Sequence, residues 1–100
     1  MAHIYQTISS TNETAISIPS NGVKYESLLL VNNHASADIT LDLYIKDSSA
    51  TTFYILNNVK IPNGVSLKLD ADEFNFNRTV YTLYINTDNA AGGIDVIINR

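Results

Sequence analysis

Apolar and polar residues alternate along this chain with a period of two, and no stretch holds the period of 3.6 that a helix needs. The clearest case is Asp38 to Lys46. There Ile39, Leu41, Leu43 and Ile45 point one way, while Asp38, Thr40, Asp42, Tyr44 and Lys46 point the other. A strand so patterned has one buried face and one wet face. Extending the reading predicts eight strands: Ala2 to Ile8, Thr14 to Ile18, Lys24 to Asn32, Asp38 to Lys46, Thr51 to Ile61, Ser66 to Leu69, Thr79 to Asn86 and Gly93 to Asn99. Between them stand turn formers: Pro19 with Asn21-Gly22, Asn33 to Ser36, Asp47 to Ala50, Pro62-Asn63-Gly64, and Asp88 to Gly92. The fifth strand is long, and Asn57-Asn58 inside it predicts a bend or bulge.

Short strands with frequent turn signals and no helical stretch predict an all-β fold: an eight-stranded antiparallel β-sandwich in jelly-roll or related Greek-key order. An immunoglobulin-type sandwich is the rival arrangement. No linker-like composition divides residues 1–100, so a single domain is expected.

The chain also echoes itself. Ile18-Pro19-Ser20-Asn21-Gly22-Val23 returns as Ile61-Pro62-Asn63-Gly64-Val65, and Leu43-Tyr44-Ile45 returns as Leu83-Tyr84-Ile85. Apolar runs at Phe53 to Leu56 and Ile94 to Ile98 close the two halves. The reading is two related β units, with Tyr44 and Tyr84 at matching outward positions.

Several strands carry apolar residues on both faces. Leu29 and Val31 oppose Leu28 and Leu30; Ile97 opposes Ile94, Val96 and Ile98. By simple alternation Tyr54 and Leu56 oppose Phe53 and Ile55. An isolated sandwich leaves its outer faces to water, so this excess predicts a homo-oligomer whose subunits cover one another. Tyr44, Tyr54, Leu56, Tyr84 and Ile97 are the expected contact residues. Phe74 and Phe76 are expected to plug one end of the sandwich.

Composition narrows the chemistry. With no cysteine there are no disulfides, thiol nucleophiles or cysteine metal sites. A net charge of −4, with six Lys and Arg scattered along the chain, argues against nucleic acid. No apolar run is long enough to cross a bilayer as a helix, and Met1 to Gln6 lacks the basic and apolar regions of a signal peptide, so neither a membrane nor export is expected. The two histidines, His3 and His34, stand in no recognisable catalytic context and read as surface residues; no nucleophile, phosphate-loop or metalloprotease motif is present. Asp70-Ala71-Asp72-Glu73, with Asn75 or Asn77 nearby, is the best calcium candidate, although as an EF-hand it lacks the glycine and distal glutamate; a solvated β-turn is the plainer reading. Asn12-Glu13-Thr14 and Asn77-Arg78-Thr79 match the glycosylation pattern, which is expected by chance in a chain rich in Asn and Thr. No cofactor is expected.

The segment Asn58 to Leu69, followed by Phe74-Asn75-Phe76 and Tyr81-Thr82-Leu83-Tyr84-Ile85, resembles a recurring passage in small virion proteins of tailed phages, marine phages of cyanobacteria in particular. In those proteins a strand ending in an Ile-Pro-x-Gly turn leads to a Ser-Leu-x-Leu strand, an acidic loop and a short Tyr-x-Leu strand. The likeness spans about the last half of the chain. It implies a capsid-decorating, neck or tail component, made in the host cytoplasm and built into the virion, with no catalytic residues. The expectation is therefore a non-enzymatic structural protein that self-associates and meets other virion proteins. The alternative is a carbohydrate- or receptor-binding sandwich, with calcium at Asp70 and Asp72, favoured if exposed tyrosines cluster on one face.

Overall fold

The computed structural model describes residues 4–18, 25–34, 36–74, 76–88 and 93–99. Eight strands form: β1 Ile4–Ile8, β2 Thr14–Ile16, β3 Ser27–Asn32, β4 Ile39–Lys46, β5 Thr52–Ile61, β6 Ser66–Asp70, β7 Thr82–Thr87 and β8 Ile94–Asn99. One helical turn, α1 Ala71–Phe74, lies between β6 and β7. His3, the Asn21-Gly22 turn with the first Ile-Pro echo, Asn75 and residues 89–92 of the last loop lie outside the described residues.

The strands make two four-stranded sheets: a front sheet in the order β1-β8-β3-β6 and a back sheet in the order β2-β7-β4-β5. Every pairing is antiparallel. The pairs β1·β8, β2·β7, β3·β6 and β4·β5 are the rungs of one long hairpin closed at β4–β5. Rolling that hairpin so that β3 meets β8 and β4 meets β7 gives the jelly roll. The architecture is thus an eight-stranded antiparallel β-sandwich.

The period-two pattern does what it should. Ile39, Leu41 and Leu43 of β4 are buried, with Leu83 and Ile85 of β7 beside them in the back sheet; Leu28 and Leu30 of β3 and Ile94, Val96 and Ile98 of β8 face them from the front sheet. Leu28, Leu30, Leu43, Ile85, Ile94, Val96 and Ile98 expose nothing. Burying a side chain of this kind contributes about 1.5–3 kcal/mol relative to leaving it in water. This layer therefore carries most of the favourable free energy of the fold.

Three local departures from simple alternation have physical causes. In β5 the register against β4 shifts twice, between Leu41 and Leu43 and between Leu43 and Tyr44. The first shift falls at Asn57-Asn58, where Asn58 takes a positive φ of 59° and its N–H donates to Asp42 Oδ1 at 2.6 Å. Asparagine tolerates that left-handed conformation better than a β-branched residue does. The second shift places an extra residue between Tyr54 and Leu56. Leu56 therefore stands opposite Leu43 and packs against the core, on the face opposite to Tyr54. This corrects the expectation that Tyr54 and Leu56 share a face.

The seventh strand begins at Thr82 instead of Thr79 because Asn77 builds a turn. Its Oδ1 accepts the Thr79 N–H at 3.1 Å, and its carbonyl accepts the N–H groups of Val80 and Tyr81 at 3.1 and 2.9 Å. The acidic stretch is the third departure. It forms α1 instead of an open turn, with Glu73 Oε1 accepting the Asp70 N–H at 3.2 Å in half of a capping box. That turn aims Phe74 into the core, where it is buried, with Phe76 half-buried beside it.

One end of the sandwich is tied together by Asn32, a polar residue in an otherwise apolar position and only 1% exposed. Its N–H donates to the Val65 carbonyl (3.0 Å) and its carbonyl accepts from Gly64 (3.2 Å). Its Oδ1 accepts the His34 N–H (2.9 Å), while Nδ2 donates to the carbonyls of Ala37 (2.9 Å) and Ile61 (2.8 Å). Every polar group of the residue is used, so its burial costs little. Next to it, Gly93 and Asn33 exchange two bonds, and a Cβ on Gly93 would stand 2.8 Å from the Ile8 carbonyl oxygen. Only glycine fits there.

The echo takes on a definite meaning. Leu43-Tyr44-Ile45 and Leu83-Tyr84-Ile85 lie side by side in β4 and β7, with Tyr44 opposite Tyr84. The rest of the echo does not follow, since β5 belongs to the back sheet and β8 to the front. A duplicated unit would carry both to equivalent places. The repeat of Leu-Tyr-Ile reflects two central strands of one sheet meeting the same environment.

Candidate functional site

The outer face of the back sheet carries the densest group of functional side chains. Tyr54 of β5, Tyr44 of β4 and Tyr84 of β7 occupy one row across three neighbouring strands. The ring centroids of Tyr44 and Tyr54 lie 5.4 Å apart, tilted by 54°; those of Tyr44 and Tyr84 lie 5.9 Å apart and are stacked. Such spacings are those of favourable aromatic pairs. Flanked on both sides, Tyr44 is only 7% exposed although it points away from the core, whereas Tyr54 at the edge is 56% exposed.

Glu13, just before β2, reaches over this row from the sheet's other edge. The Tyr44 hydroxyl donates to Glu13 Oε1 at 2.5 Å, and the Lys46 ammonium stands 2.8 Å from the same carboxylate. Lys46 also lies 4.8 Å above the Tyr84 ring, a cation–π distance. These contacts explain the protonation behaviour. The hydrogen bond from Lys46, then that from Tyr44, hold the Glu13 carboxyl below its ordinary value. Burial, then the bond to Glu13, push the Tyr44 hydroxyl above its own, and the bond to Glu13 raises Lys46.

A spectroscopic consequence follows from Tyr44. Its folded pKa is raised above the unfolded value of 10.0, so the stability it contributes is complete below that pH and is lost as pH rises through the folded value. In a tyrosinate absorbance titration, Tyr44 is expected to ionise late, together with alkaline unfolding. Glu13→Gln should bring that late step to lower pH. A late step that stays in place in Glu13→Gln would contradict the arrangement.

One row along the same face, Asp42 stands opposite Asn86. With Thr40, Asn58 and Asp88 they line an open polar groove of about 270 Å³. Two carboxylate oxygens there are already engaged by backbone: Asp42 Oδ1 by the Asn58 N–H and Asp88 Oδ1 by the Thr40 N–H at 3.0 Å. A second, smaller cleft of about 200 Å³ lies between β2 and the start of β7, lined by Ile16, Ile18, Phe76, Arg78 and Tyr81 among others.

Of the contact residues expected from sequence, Tyr44, Tyr54 and Tyr84 are thus brought together. Ile97 is not among them: it lies on the outer face of the front sheet, between Tyr5 and Leu29. Leu56 packs inward. His34 organises a turn, its Nδ1 accepting the N–H groups of Ser36 (3.0 Å) and Ala37 (2.9 Å) while Asn63 donates to its carbonyl. Asp70 and Asp72 sit at α1, and among the described residues no three acidic or histidine side chains converge as a metal site would require. Sequence reading missed Glu13, which lies 31 residues from Tyr44 and has no periodic relation to it. The groove had a usable signal, because Asp42 and Asn86 each lie two residues from an outward tyrosine and so share its face.

No helix among the described residues is long and apolar enough to cross a membrane. No known protein family matches the chain. No curated protein matches it either. Among solved structures, the Anabaena sensory rhodopsin transducer is similar to 96% of this chain over 95% of its own length, at 14% identity and a TM-score of 0.46.

Proposed function

We propose that this chain is a non-enzymatic structural protein of a phage particle, whose copies associate through the outer face of the front sheet. The observation that carries the reading is the apolar row on that face. Tyr5 of β1, Ile97 of β8 and Leu29 of β3 stand side by side, with Val31 one step along. Tyr5 is 70% exposed, and the other three are partly exposed. The outer side of an antiparallel sheet that faces water is ordinarily polar, as it is on the back sheet around Asp42, Lys46 and Asn86. A second copy laid on this row would remove it from water. The polar residues Lys68, Asp95 and Ser66 beside it would form the rim, the usual anatomy of an interface. The phage assignment rests on the resemblance of residues 58–85 to small virion proteins, and the assembly reading on this apolar face.

Light scattering on a size-exclusion column tests it. The chain is expected to elute as a discrete oligomer, and Leu29→Lys with Ile97→Lys to give a folded monomer with an unchanged far-ultraviolet spectrum. A wild-type chain that stays monomeric at every concentration would refute the assembly reading, as would a double variant of unchanged mass.

A further inference from the structure

We infer that the polar groove beside Tyr54, on the outer face of the back sheet, is a binding site for a neutral oligosaccharide. It is a site separate from the proposed assembly face, on the opposite sheet.

Four features of the groove point to this ligand. Its floor is rigid, because Asp42 and Asn86 belong to two central strands held in register, Asp42 opposite Asn86. Its carboxylates are pre-aimed. Asp42 Oδ1 is fixed by the Asn58 N–H at 2.6 Å and Asp88 Oδ1 by the Thr40 N–H at 3.0 Å, leaving the second oxygen of each to accept from outside. Its carboxamides are uncommitted: among the described residues, no hydrogen bond holds the side chain of Asn58 or Asn86. Finally, an exposed ring stands one row along the same face, outside the groove's own lining. Tyr54 is 56% exposed and packs against its cross-strand neighbour Tyr44, which is itself tied to Glu13.

These groups match the two halves of a pyranose. A sugar hydroxyl donates to a carboxylate while accepting from a carboxamide, so neighbouring Asp and Asn side chains satisfy it in both senses. The C–H face of the ring packs on an aromatic side chain. Other ligands fit worse. Two carboxylates repel an anion. A cation would find each carboxylate with one oxygen already taken by a backbone N–H, and no third acidic side chain converges among the described residues. The groove is open along the face, which suits a chain of sugars better than a single enclosed ring.

The test is an amide NMR titration of the full chain with cello-, manno- and laminari-oligosaccharides, followed by Tyr54→Ala and Asn86→Ala. The expected result is saturable shifts at the amides around Asp42, Tyr54, Asn58 and Asn86 with at least one of the three sugars. Tyr54→Ala should weaken binding at least tenfold and Asn86→Ala severalfold, both variants keeping the wild-type spectrum elsewhere. Leu29→Lys with Ile97→Lys should bind as the wild type does, which separates this site from the assembly face. The inference is overturned if none of the three sugars produces saturable shifts, if both groove variants bind unchanged, or if calcium alone perturbs these amides while the sugars do not.

Discussion

Asn32→Leu is expected to remove a large part of the stability of the fold. Leucine is of similar volume, so no cavity opens and the loss is one of hydrogen bonding. The substitution removes three bonds and strands the His34 N–H and the carbonyls of Ala37 and Ile61, the last in a buried setting. A buried polar group left without a partner costs about 1–3 kcal/mol. The sum is on the order of 4 kcal/mol or more, against a total stability of about 5–15 kcal/mol for a domain of this kind. Asn32→Asp sharpens the point. It keeps the shape but turns the Nδ2 donor into an acceptor facing two carbonyls, so it should destabilise at least as strongly as leucine. Thermal and urea unfolding followed by circular dichroism measure both. A melting temperature within a few degrees of wild type for either would show that the bonds contribute little.

The second large effect belongs to Leu43→Asp. Leu43 is fully buried, lies between β5 and β7 in the back sheet and faces the front sheet across the core. An ionised carboxylate there would have no partner, and even the protonated form would bury an unsatisfied group and lose the packing of the isobutyl side chain. The expected loss exceeds about 4 kcal/mol, enough to abolish the cooperative transition. Thr82→Asp is the matching control. It puts the same charge on an exposed, outward position of β7 and should change stability by no more than about 0.5 kcal/mol. If both variants melt alike, the burial pattern of the sandwich is wrong.

How far the residues foretold these outcomes depends on the range of the signal. The alternation through Ile39, Leu41 and Leu43 is local and strong, so β4 and the sandwich could be read from it directly. Leu56 was misplaced because strict alternation has no way to count the extra residue that a bulge inserts; Asn57-Asn58 marked the first bulge, but nothing marks the second. Thr79 to Tyr81 read as strand because Thr, Val and Tyr favour strands, and the capping by Asn77 overrode that preference. The tyrosine row was half visible through the echo. Its keystone was not, since Glu13 meets Tyr44 only after β2 has paired with β7. Asn32 looked like a strand terminus, because its partners come from the turn that follows it, at His34 and Ala37, and from a distant one, Ile61 to Val65, that meets it only in the folded chain.

The rolled hairpin also fixes an order of events in time. Among the described residues, β4 and β5 are the one hydrogen-bonded pair of consecutive strands, whereas β1 must find β8 at the far end of the chain. Closing a short loop is entropically cheaper than closing a long one, so the β4–β5 hairpin is the natural nucleus, and pairing then spreads outward to the terminal strands. Folding should be slow for a chain of this size, in the millisecond-to-second range typical of topologies rich in distant pairings. Substitutions that weaken β4–β5, such as Val59→Ala, should act mainly on the folding rate, and those in β1, such as Ile4→Val, mainly on the unfolding rate. Stopped-flow chevrons on the two variants would show it, and the reverse partition would place the nucleus where the chain ends meet.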